Sequence, residues 1–93
     1  MLISKKVKIY SYGGYKVNDQ KLLKHIESNS EVMLGKPVIK GTRLTVEIVV
    51  EKIAYGCSFD DILKEYPFVT KQDIQACLLY AAKALSREQI YAA

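Results

Sequence analysis

With 93 residues, the chain is long enough for one domain and one small core, and too short for two. It is 49% apolar and 26% charged, which fits an ordinary soluble globular protein, and no apolar run approaches membrane-spanning length, which excludes a bilayer-spanning helix. The net charge of +4 is uneven: residues 1–25 carry +5 and the remainder −1, so a polyanion partner or a solvated basic face is expected of the N-terminal quarter.

Residues 5–17 alternate Val7 and Ile9 with Lys6, Lys8 and Tyr10, a period of two. Gly13-Gly14 then supplies the positive φ of a tight turn, so a β-hairpin or extended segment is expected here. No long apolar stretch backs the charges at the start, so no signal peptide is read and a cytoplasmic location is expected. Asn18 or Asp19 suits the cap of a short helical turn through Leu22 and Leu23. Residues 34–45 hold two glycines and one proline and read as an ordered loop with a short extended piece at Val38 and Ile39.

Three amphipathic helices follow. The first takes Thr45 as N-cap, Glu47 in its first turn and Val46, Val49, Val50 and Ile53 as its apolar stripe, and ends at Gly56. The second takes Ser58 as N-cap with Asp61 in the capping-box position. Its stripe is Phe59, Ile62, Leu63 and Tyr66, and Pro67 stops it. The third takes Thr70 and Asp73 as its cap pair, with Ile74, Cys77, Leu78, Ala81 and Leu85 along one side. The expected fold is therefore mainly α, a three-helix bundle with a helix-turn-helix, preceded by the short β-like segment. The expected organisation is a single domain over 1–93: a basic segment 1–25, an ordered loop and short strand 26–45, and the trihelical part 45–87.

A helix-turn-helix lays its second helix in the major groove of DNA. Here that helix exposes Lys71, Gln72 and Gln75 near its start. Glutamine suits an adenine edge, and lysine a guanine edge or a phosphate. Asp60, Asp61 and Glu65 on the preceding helix repel phosphate if they face it, so Lys36, Lys40, Arg43 and the N-terminal lysines are expected to neutralise the backbone. The alternative is a plain bundle whose polar face meets water. Arg43 has two readings: on a phosphate or a partner's carboxylate, or pinning its own loop through carbonyls or an acid of the second helix.

The run Gly35-Lys36-Pro37-Val38-Ile39-Lys40-Gly41-Thr42-Arg43-Leu44-Thr45-Val46 resembles the signature of the DUF433 family. So do Ala54-Tyr55-Gly56-Cys57-Ser58, Ile62 to Pro67, Asp73-Ile74 and Tyr80-Ala81-Ala82. The resemblance implies a homeodomain-like or winged-helix-like trihelical domain. It also implies an antitoxin-like protein that neutralises a PIN-like nuclease toxin and represses its own promoter. Leu44-Thr45 stands where many members have an apolar residue and proline. The chain ends soon after the third helix, so the N-terminal segment or an exposed helix face is expected to hold such a partner. One helix-turn-helix has a small footprint, so a homodimer is expected, through the N-terminal hairpin or the region of Leu79 and Tyr80. The rival expectation is a protein-interaction module that inhibits a partner and ignores DNA.

No catalytic constellation, metal set or cofactor motif is read, and no enzyme activity is expected. Gly35-Lys36 is followed by Pro37 where a phosphate loop needs serine or threonine. Asp60 and Asp61 are adjacent and diverge on a helix. His25, the only histidine, has no acid at helical spacing and is expected to be solvated. Cys77 reads as a core residue and Cys57 as a turn residue.

Overall fold

The computed structural model describes residues 19–92, with side chains as far as Ser86. The hairpin expected over 5–17 lies outside the described residues. The described part is mainly α, as expected, with four helices and one two-stranded sheet. In chain order these are α1 (Asp19–Leu23), β1 (Ile26–Glu27), a 3-10 turn (Met33–Gly35), β2 (Val38–Ile39), α2 (Val46–Ala54), α3 (Phe59–Glu65) and α4 (Lys71–Ala92).

The helix boundaries follow from their caps. Thr45 has extended backbone angles, and its hydroxyl accepts the Ile48 N–H at 3.2 Å, satisfying a donor with no partner inside α2. Ser58 and Asp61 form the reciprocal box that starts α3: the Ser58 hydroxyl accepts the Asp61 N–H at 3.0 Å, and the Asp61 carboxylate accepts the Ser58 N–H at 2.9 Å. The Ser58 N–H, and after it the Ser58 hydroxyl, hold the Asp61 carboxyl below its ordinary pKa. Thr70 and Asp73 repeat the arrangement at α4 with bonds of 3.1 and 2.9 Å. α2 stops where Gly56 takes φ +102°, a conformation that glycine adopts without a Cβ clash. α3 stops at Glu65, two residues before Pro67, with Tyr66 between them at ψ 82°.

The sheet pairs β1 with β2 antiparallel, Ile26 opposite Ile39 and Glu27 opposite Val38. Only β2 is expected from the sequence; β1 is an addition. β2 is also bonded onward to the start of α2, through Ile39 N–H to the Leu44 carbonyl and Val46 N–H to the Pro37 carbonyl, both 3.0 Å. Between them, Thr42 N–H reaches back to the Ile39 carbonyl, with Gly41 at φ +79° in the position where a type II turn needs positive φ.

The core lies where α2, α3 and α4 meet the sheet. Val49, Ile62, Ile74 and Cys77 are fully buried, and Ile39, Leu44, Val46 and Val69 close around them; Val38 is also fully buried. Phe59, Leu63, Tyr66, Val50 and Ile53 pack against this cluster with part of each side chain in water. Leu85 departs from the expectation: it lies on the predicted stripe of α4 yet is 59% exposed. α4 has 22 residues against nine in α2 and seven in α3, so at about 1.5 Å per residue it outruns the helices it packs on.

Burial pushes the Cys77 thiol up to about 12, with the nearby Asp73 charge acting in the same direction. A pKa higher in the folded state favours folding while the thiol is protonated. That contribution is lost as pH rises from the ordinary thiol range toward about 12. We expect a thiol reagent at neutral pH to modify half-buried Cys57 in the native protein and to reach Cys77 only on unfolding. Equal labelling rates, read by mass spectrometry, would contradict this packing.

Candidate functional site

The start of α4 separates two faces. Ile74, Ala76 and Cys77 are buried, whereas Lys71, Gln72 and Gln75 are exposed. Their spacing of three and four residues places the three polar side chains on one side of the helix. α1 packs alongside α4. Between them runs an open groove of about 950 Å³, lined by Lys21, Leu22 and His25 on one side and Gln72, Gln75 and Leu79 on the other.

Two polar contacts close the ends of this helix pair. At one end, Lys83 of α4 meets the carboxylate of Asp19 at 2.9 Å. At the other, His25 Nδ1 lies 2.7 Å from Asp73 Oδ1. A carboxylate only accepts, so Nδ1 carries the hydrogen in this bond, and Nε2 is not used by it. Asp73 is 9% exposed, and its second oxygen accepts the Thr70 N–H of the α4 cap. The expectation of a solvated His25 is thus corrected. Its acidic partner stands 48 residues away and is brought in by the packing of α1 and β1 on α4. No serine, threonine or cysteine lines the groove, so the carboxylate–imidazole pair has no nucleophile beside it there. Among the described residues, no group of three or more histidine, cysteine, aspartate or glutamate side chains is arranged to hold a metal ion.

The other expected site residues separate. The Lys40 side chain is exposed, and its backbone N–H donates to the His25 carbonyl at 2.7 Å, which ties it to the α4 end of the groove. Lys36 is tied elsewhere, with Nζ 3.2 Å from Glu47 in the first turn of α2. Arg43 is exposed and belongs to none of the ion pairs among the described residues. Thr42 pins that loop instead: its hydroxyl donates to the Ile39 carbonyl at 2.8 Å and accepts the Leu44 N–H at 3.0 Å. The neighbouring Gly41 N–H donates to Glu27. The structural role considered for Arg43 therefore falls to Thr42.

The acids of α3 are largely engaged within the fold. Asp61 caps its own helix, and Glu65 meets Lys52 of α2 at 2.9 Å, a bond that raises the Lys52 pKa. All three are exposed, and Asp60 stands outside these contacts.

Sequence reasoning does not anticipate Lys21 and His25 as groove residues, because their neighbourhood is set by tertiary packing. We expect His25→Ala to cost about 1 kcal/mol, and Asp73→Ala about 2 kcal/mol because it also removes the cap. In a double-mutant cycle by denaturant unfolding, the two losses should be non-additive; additive losses would mean the 2.7 Å contact contributes nothing.

The profile of the family described as "Protein of unknown function (DUF433)" matches residues 26–81. The chain is similar to the crystal structure of a DUF433 member protein from Anabaena variabilis ATCC 29413, with 24% identity and a TM-score of 0.64 over 80% of this chain and 74% of that one. This likeness concerns the fold. No curated protein matches the chain. The matched span runs from β1, through the motif loop and the capped helices α2 and α3, into α4, and the chain belongs to the DUF433 family.

Proposed function

We propose that this protein is a DNA-binding helix-turn-helix regulator that works as a homodimer in the cytosol. In this reading it is the antitoxin-like member of a pair with a PIN-like nuclease toxin and represses its own promoter. The observation that carries the reading is the start of α4: Lys71, Gln72 and Gln75 are exposed on the helix that follows α3 across the turn 66–70, while the opposite side is locked in the core. Gln72 and Gln75 read base edges, and Lys71 takes a base edge or a phosphate. The pairing of Glu65 with Lys52 supports the same reading, because it leaves less uncompensated negative charge on α3 to oppose phosphate. Dimerisation doubles a footprint that one module makes too small for tight specific binding. The toxin partnership rests on the resemblance to the family and on no contact within the fold.

A second reading, a protein-interaction module that inhibits its partner without DNA, is favoured by one feature. Met33 and Leu34 both take positive φ, at 49° and 58°, and Leu34 is 93% exposed. A strained turn that presents a bare leucine costs stability and suits a partner's apolar pocket.

Fluorescence anisotropy against the protein's own upstream DNA and a shuffled duplex separates the readings. We expect preference for the native duplex, weakening as salt rises. Gln72→Ala with Gln75→Ala should reduce that preference about 10-fold or more, at about 1–3 kcal/mol per lost bidentate contact, and leave thermal stability unchanged. Absence of binding at low salt, with partner binding that depends on Leu34, would favour the second reading.

A further inference from the structure

The groove between α1 and α4 bears on which lysines meet the DNA backbone, an inference that rests on the DNA-binding reading above. Of the acids around the groove, Asp19 is paired with Lys83, Asp73 is buried in its bonds to His25 and the Thr70 N–H, and Glu27 accepts the Gly41 N–H and keeps its charge. Lys21 lines the groove opposite Gln72 and Gln75, and Lys24 stands in the turn between α1 and His25. Both are exposed, as are Lys40 and Lys71, and none of the four belongs to an ion pair among the described residues. Four lysines outside ion pairs thus stand against the Glu27 and Asp73 carboxylates, which leaves this face with a positive excess beside two glutamine amides.

The major groove is about 12 Å wide and bounded by phosphate ridges, so a helix in it has phosphates on either side. A neighbouring helix packs about 8–10 Å from the first, which places it over a ridge rather than over the bases. α1 is such a neighbour of α4.

We propose that α1, which lies outside the helix-turn-helix, is the phosphate-binding element of the DNA interface, with Lys21 and Lys24 contacting the backbone beside the bases that Gln72 and Gln75 face. The bond from His25 to Asp73 holds α1 against the start of α4, so His25 is a positioning residue. Lys36, paired with Glu47, takes no part.

The test is the slope of log affinity against log salt for the full chain on its upstream duplex. Each phosphate contact contributes about −0.9 to that slope. Lys21→Ala with Lys24→Ala should make the slope shallower by about 1.8 and weaken binding to native and shuffled duplexes alike, since phosphates carry no sequence information. Lys21→Arg with Lys24→Arg should restore the slope, and Lys36→Ala should leave it unchanged. An unchanged slope in the alanine pair, with normal binding by the unaltered protein, would overturn the assignment and leave the DNA-binding reading standing. An unaltered protein that binds no duplex at low salt would overturn both.

Discussion

The carboxylate of Asp73 holds two parts of the chain at once. One oxygen accepts the Thr70 N–H and so starts α4; the other accepts Nδ1 of His25. The first bond is local and fixes where the longest helix begins. The second fixes what lies beside it, because His25 connects α1 to β1 and its carbonyl takes the Lys40 N–H at the end of β2. One buried acid thus joins the helical part to the sheet. Without it, the cap would lose its side-chain acceptor and the imidazole its charged partner, each worth about 1 kcal/mol or more in a fold of marginal stability.

This arrangement divides the surface. The face of α4 turned toward α2 and α3 is filled by Ile74 and Cys77, while Gln72 and Gln75 face the groove beside α1. The charge balance follows the same division. Lys36, Lys52 and Lys83 are matched by Glu47, Glu65 and Asp19, so they add little net field. The lysines outside such pairs include Lys21, Lys24, Lys40 and Lys71, around the start of α4 and its neighbouring turn. Net charge alone cannot show this, since residues outside 1–25 sum to −1. The distribution, not the total, is what a polyanion meets.

The local parts of this design are legible in the sequence. Thr45, Ser58 with Asp61, and Thr70 with Asp73 announce three helix starts because a cap is a contact within three residues. Pro67 announces a stop for the same reason. The motif from Gly35 to Val46 points to the family, and that recognition holds. The non-local parts are not legible. Nothing near His25 signals Asp73, and β1 is too short for a period-two pattern to register. Leu85 follows the stripe but loses its partners where α2 and α3 end, a matter of relative helix length. Lys21 and Lys24 read as part of a diffuse basic segment until the packing of α1 beside α4 gives them a place.

The most direct measurement is amide chemical-shift mapping of the labelled protein as upstream duplex is added at low salt. Changes should concentrate at Lys21–His25 and Lys71–Gln75, with Leu34, Tyr55 and Phe68 left in place although they are exposed. Changes centred on those three apolar residues, or no change at all, would contradict this interface.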